Sequence, residues 1–311
     1  MKKTLLLLYF FGFVPSSGKV LLIVPTYNRP DFIELQVKTF KAFLQDDYEY
    51  VVFNDASQED MARSIEQTCN RLNVRCFRFP QHIHAARGMT SPGHRHMDVL
   101  AYFLEQMGYD FPGIVAIVDS DLFLLKSFSI ENYLRDYDIS GELQGRENDA
   151  VKVRHLSPIL VFMNMQTLPN KRTISFEGGY IEGLACDVGA NTYYYLQNNP
   201  TVKSRIFTLN FIPALKRALS CSECSNFSCQ KCVHYLKEIQ FDDKMIAYVQ
   251  SCPDDNTEFV LDNTFLHYRC GTNWDNKPGG YHDIKTKALN NLIHDLLYIH
   301  YYKEHALKGT I

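Results

Sequence analysis

Over residues 19–125, four short strand-like runs alternate with segments of helical spacing, and three of the runs end in polar clusters. The first is "KVLLIV", Lys19 to Val24, followed by the loop formers "PTYNRP". "YEYVVFND" and "VRCFRF" come next, and "IVAIVDSDLFLL", Ile114 to Leu125, is the fourth. The first and fourth, continuous apolar runs bounded by turn formers, predict buried strands, and the other two predict strands beside them. Between them, Ile33, Val37, Phe40 and Leu44 predict a helix over 31–45, and Met61 to Leu72 predicts a second. Met97, Leu100, Phe103, Leu104 and Met107 predict a third, opened by Ser91 as N-cap and Pro92 at the first position. Strand and helix in alternation imply a parallel sheet with helices on both faces. Ligands bind such sheets beyond the C-terminal ends of the strands. Three polar clusters fall there: Thr26, Asn28 and Arg29; Asn54 and Asp55; Asp119 and Asp121.

Asp119 and Asp121 stand among strongly apolar residues. A buried charge without a partner costs several kcal/mol, so something positive is expected to meet them. In an extended segment, residues two apart point the same way, and both carboxylates can face one ligand. Hard oxygen donors suit Mg²⁺ or Mn²⁺. A loop of helix caps is the plainer reading of Asp-X-Asp, but the place after an apolar strand favours metal.

Taken together, "VLLIVPTYNRP", "VVFNDAS" and "VAIVDSD" resemble a family-2-type glycosyltransferase. The resemblance covers residues 19 to about 125 in order and spacing, and is weaker to about residue 275. It implies a GT-A fold: an α/β, Rossmann-like, mixed but mostly parallel sheet with helices on both faces. It also implies transfer of a sugar from a nucleotide-diphosphate donor, with Mn²⁺ or Mg²⁺. Carried over by position, Pro25 and Thr26 would line the nucleotide pocket and Asp55 would hold the base. Asp119 would approach the ribose, and Asp121 would ligate the metal. Asn54 stands where the family often has Asp, and Ala56 where it has Gly. Arg95, in "GHRHM", falls where the family has an Ala-Arg-Asn-like element and would contact the diphosphate or the carboxylates. His94 and His96 beside it are weaker candidates. In "LHYRCGTNWDNKP", His267 ends another apolar run and suits a third metal ligand. Gly271 would allow close backbone approach, and Lys277 would meet phosphate charge. Trp274 is an acceptor platform or core.

An inverting transfer needs a carboxylate to take the acceptor proton. Glu177, Glu182 and Asp187 are the candidates, and Asp187 in "CDVGAN" is preferred over its plainer reading as a helix cap. Cys221, Cys224, Cys229 and Cys232 form two Cys-X-X-Cys pairs. They can hold one structural Zn²⁺ or form two disulfides. With nine cysteines in all, at least one thiol stays free if pairing is internal.

Lys2 and Lys3, the apolar run Leu5 to Val14, and Ser16 and Gly18 have the layout of a secretory signal cleaved before Lys19. That run is too short to span a bilayer. An exported or secretory-lumen location follows if it is cleaved, and a cytoplasmic one if not. The expected organisation is a signal-like segment over 1–18 and a glycosyltransferase domain over 19–280. A cysteine-rich insertion would lie at about 218–236, and a C-terminal helix over 281–311, with Ile284, Ala288, Leu292 and Leu296 on its apolar face. A net charge of −3 and the lack of a basic run argue against nucleic acid as partner. The acceptor, whether glycan, lipid or protein, is not named by the sequence. Two other readings stay open: a catalytically inactive sugar-nucleotide- or glycan-binding protein of the same fold, and a nucleotidyltransferase. The latter usually has a Gly-rich, basic phosphate loop, unlike "PTYNRP".

Overall fold

The computed structural model describes residues 19–88, 91–212, 242–251, 259–268 and 281–307. The predicted signal segment, Gly271, Trp274, Lys277 and the cysteine cluster lie outside them.

Strands β1 (Val20–Thr26), β2 (Tyr48–Asn54), β3 (Arg75–Arg78) and β4 (Ile114–Val118) are the four predicted runs. Helices α1 (Pro30–Phe43) and α2 (Glu59–Leu72) follow the first two strands. A short α3 (His82–Arg87), not foreseen in the sequence, precedes α4 (Pro92–Phe103). Next come β5 (Leu122–Leu124), α5 (Ile130–Leu134), β6 (Ile139–Glu147) and β7 (Lys152–Asn164). A hairpin of β8 (Gly179–Ile181) and β9 (Leu184–Cys186) leads to α6 (Thr192–Asn198) and then β10 (Ser204–Ile206) and β11 (Leu209–Phe211). The remainder is α7 (Asp243–Ser251), β12 (Phe259–Leu261), β13 (Phe265–His267) and α8 (Tyr281–Leu307).

The main sheet has seven strands in the order β10-β6-β7-β4-β1-β2-β3. Among them only β7 runs against the rest, antiparallel to both β4 and β6. The mixed, mostly parallel sheet implied by the sequence is therefore the one present. β2 and β4 flank β1, so the strand order reverses there. This is the topological switch point, where open α/β sheets bind ligands.

Helices cover both faces because β1 and its neighbours are apolar on both. Val20, Leu22 and Val24 pack with Val37, Phe40 and Ile65 of α1 and α2. Leu21 and Ile23 face the other way, onto Val99, Leu100 and Phe103 of α4. Each such side chain, once buried, contributes about 1.5–3 kcal/mol.

A second, antiparallel sheet runs β11-β12-β13-β5. It sets His267 opposite Leu122, one residue beyond Asp121. Helix α8 packs here, with Leu289, Leu292 and Ile293 against Phe32, Phe123 and Tyr268. Of the apolar face expected on this helix, Ala288, Leu292 and Leu296 pack inward, while Ile284 is 59% exposed and Lys285 is buried. The Lys285 ammonium lies 3.9 Å from the centre of the Tyr268 ring. That cation–π contact lets a lysine, with its aliphatic stem, take an inward position. Among the described residues no helix is long and apolar enough to cross a membrane.

Candidate functional site

A cavity of about 380 Å³ opens at the switch point. Pro25, Thr26 and Tyr27 line it from the end of β1, Asp55 from the end of β2, and Asp119, Ser120 and Asp121 from the end of β4. Arg95 and His96 of α4, Gln144 of β6, Ser157 of β7, Asp187 and His267 add further polar groups to its wall.

The Asp119–Asp121 turn is fixed from beneath. The Leu122 amide donates back to the Asp119 carbonyl at 3.1 Å. Gln36 of α1, fully buried, donates to the carbonyls of Asp119 and Leu122 at 2.8 and 2.5 Å. Its own carbonyl accepts from the Tyr50 hydroxyl. The Tyr268 amide donates to the Asp121 carbonyl at 2.8 Å, which brings in β13. His267 Nε2 then sits 3.2 Å from Asp121 Oδ1 and 3.7 Å from Asp119 Oδ2. One ligand atom from each of Asp119, Asp121 and His267 lies within 4.8 Å of the others. Burial disfavours a charged imidazole here, but the two carboxylates outweigh it and hold the His267 pKa up at about 10. Two carboxylate oxygens and an imidazole nitrogen facing one point fit Mn²⁺ or Mg²⁺. His96 adds a fourth group: its Nδ1 is 3.7 Å from Asp119 Oδ1, and its Nε2 is buried without a hydrogen-bond partner.

Asp55 is 3% exposed and heavily engaged. Arg95 Nε donates to its Oδ2 at 3.1 Å, and Arg95 Nη2 lies 2.9 Å from Oδ1. Gln81 donates to Oδ1 at 3.0 Å, and His84 Nε2 lies 2.8 Å from the same oxygen. Three of these contacts fall on Oδ1 and one on Oδ2, so protein donors crowd Oδ1 and leave Oδ2 the less engaged oxygen. Asp55 lines the cavity, where the resemblance implies that it holds the base.

Several sequence candidates are placed away from the cavity lining. Asn54 is fully buried, donates to the Ala62 carbonyl at 2.8 Å and accepts from the Ala56 amide at 3.2 Å, so it shapes the turn after β2. Arg29 donates to both oxygens of Asp31, at 2.8 and 2.6 Å, with its guanidinium 3.4 Å from the Phe32 ring centre. Asn28 takes a left-handed φ of 55°, a conformation that Asn tolerates better than most residues. Glu177 accepts from Arg87 at 2.8 Å, and Glu182 sits in the hairpin turn with φ 51°.

Asp187 is exposed at the cavity wall, immediately after β9. Its carboxylate accepts from the Val188 amide at 2.8 Å, and α6 begins after Asn191 with no side-chain cap bond. The helix-cap role weighed for Asp187 is not the one it has. Gly189 holds this turn against β7. Its φ is +95°, and a Cβ there would overlap the Leu156 carbonyl oxygen. Gly189→Ala is therefore expected to cost at least about 1–3 kcal/mol from backbone strain alone. A melting curve several degrees below wild type checks this; an unchanged midpoint would contradict the packing described.

Gln36, Gln81, His84, Gln144 and Ser157 carry no signal in the sequence. They are polar residues on ordinary helix, strand and turn positions, and only long-range pairing brings them to the site.

Scans of the sequence against family models and curated proteins find no match. Among solved structures, an active-site variant of LgtC is similar at 12% identity and TM-score 0.44, covering 87% of this chain and 95% of that one. A mannosyltransferase from Pyrobaculum calidifontis, solved with GDP-Man and Mn²⁺, is similar at 15% identity and TM-score 0.34, covering 61% of this chain and 54% of that one. The bifunctional glycosyltransferase WbbM matches at 10% identity and TM-score 0.34, over 51% of this chain and only 33% of its own.

Proposed function

We propose that this chain transfers a sugar from a nucleotide-diphosphate donor to an acceptor hydroxyl. The observation that supports this best is the convergence of Asp119, Asp121 and His267 at the switch point, in a cavity shared with Asp55, Arg95 and Asp187. Asp119, Asp121 and His267 would hold a divalent ion. Such an ion supplies positive charge to the departing diphosphate. Arg95 and Tyr27 line the part of the cavity near Asp55 and would position the nucleoside, with Asp55 acting by holding Arg95. Asp187 would take the acceptor proton as the acceptor oxygen bonds to the anomeric carbon. The bond from that carbon to the diphosphate oxygen breaks, and the diphosphate leaves with the electron pair. Cavity walls of Val99, Pro158 and Ile159 would exclude water from the reacting centre.

Thermal stability of the full chain against a panel of UDP- and GDP-sugars, with and without Mn²⁺, tests the reading. A ligand that binds only the native state at 100 times its Kd stabilises by about 2.7 kcal/mol. One sugar nucleotide with Mn²⁺ is expected to raise the midpoint beyond either component alone. No rise with any pair would overturn the proposal.

A further inference from the structure

His84 is 3% exposed, and carboxylates meet both of its ring nitrogens. Nε2 is 2.8 Å from Asp55 Oδ1, and Nδ1 is 2.8 Å from Asp98 Oδ2. Asp98 is also 3% exposed. Both contacts are at hydrogen-bond distance, so one buried ring ties the two carboxylates together.

The contacts continue in both directions. Beyond Asp98, Arg87 Nε lies 2.6 Å from Asp98 Oδ1, and Arg87 Nη2 donates to Glu177 at 2.8 Å. On the other side Asp55 holds Arg95, which lines the cavity. The result is a continuous line of contacts: Arg95, Asp55, His84, Asp98, Arg87, Glu177. Asp55 and Asp98 are buried, and a buried carboxylate without partners would be costly, so the groups that meet them are held in place.

The far end of the line is not an arbitrary surface residue. The Glu177 carbonyl accepts from the Asn191 amide at 3.0 Å, and the Phe176 carbonyl from the Gly189 amide at 2.7 Å. A Cβ on Gly178 would stand 3.0 Å from the Asp187 carbonyl oxygen. Glu177 thus anchors the turn that presents Asp187. The near end, Arg95 and Asp55, faces the cavity beside Tyr27.

We propose that His84 is a positioning residue that holds Asp55 and Arg95 at one side of the cavity and the Asp187 turn at another in a single arrangement. The donor half rests on the sugar-nucleotide reading above; the Asp187 half does not. The test compares wild type, His84→Gln and the core variant Val115→Ala at a temperature where all three are folded. Calorimetry measures UDP with Mn²⁺, GDP with Mn²⁺, and inorganic pyrophosphate with Mn²⁺. Hydrogen exchange follows the amides of residues 177–189.

His84→Gln is expected to weaken whichever nucleotide wild type binds by about 10- to 100-fold, the range for losing a hydrogen bond to a charged group. Pyrophosphate, held at the metal end, should stay within about threefold, since effects at separated sites are nearly independent. Exchange over 177–189 should quicken by about tenfold or more as that segment opens more often. Val115→Ala should leave the affinities unchanged, because lost core packing does not alter the affinity of molecules that remain folded, and should quicken exchange over 177–189 by less than His84→Gln does. If His84→Gln does not fold, Arg87→Gln cuts the line one link on, at a part-exposed side chain, and the same quickened exchange is expected. Wild-type affinity and wild-type exchange in the variant would overturn the proposal. Wild type that binds neither nucleotide would remove the donor reading and the donor half, and the exchange result would still decide the Asp187 half.

Discussion

Asp121→Asn is expected to abolish the metal dependence of donor binding and to cut transfer by about 10²–10³-fold, the usual effect of removing one well-placed charge stabiliser. Asp121 is buried, and its Oδ1 lies 3.2 Å from His267 Nε2. The substitution removes a charged oxygen without much change in size. The fold should persist, because the turn is held through backbone carbonyls by Gln36 and Tyr268, which do not depend on the carboxylate. Some stability is lost with the ion pair to His267, yet Asp119 still faces that ring at 3.7 Å. Calorimetry of the donor found in the thermal panel, with and without Mn²⁺, is the measurement. Asp119→Asn should be the milder variant, since Asp119 is the more exposed of the two carboxylates and the farther from His267. Equal metal response in wild type and both variants would mean that this cluster holds no catalytic ion.

Asp187→Asn is expected to leave donor and Mn²⁺ binding near wild type while transfer falls by about 10²–10⁴-fold, the range for losing a general base. The side chain makes one hydrogen bond, from the Val188 amide, and an asparagine oxygen can accept it equally well. Gly189 and the Glu177–Asn191 backbone bond hold the turn in any case. A binding-neutral, rate-deficient variant is thus the signature sought. Transfer within about threefold of wild type would move the base to another residue. A parallel loss of donor affinity would make Asp187 a binding group instead.

Much of the site is legible in the sequence. The strand ends that carry Thr26, Asp55 and Asp119 follow from run length and turn chemistry, both local properties. His267 is legible for the same reason, as a polar residue closing a short apolar run. Asn54 and Arg29 look equivalent to their neighbours, since strand-end position does not say which way a side chain turns. Their bonds to the Ala62 carbonyl and to Asp31 draw them elsewhere. Residue spacing finds most of the inner face of the C-terminal helix, since Ala288, Leu292 and Leu296 pack inward. Ile284 fits the same period yet is exposed, and the neighbouring Lys285 is buried over the Tyr268 ring instead.

By itself, then, the chain's order of residues determined where the buried strands lie and that two carboxylates close the central one. Burial period and turn preference act over a few residues, so they are written locally. Tertiary structure alone decided that β7 runs backwards beside β4, and that β13 pairs with β5 in a register that sets His267 against Asp121. It also decided that His84 joins Asp55 to Asp98. Such pairings join segments far apart in the chain. Their energy depends on register and on mutual burial of charge, and neither exists until the segments meet.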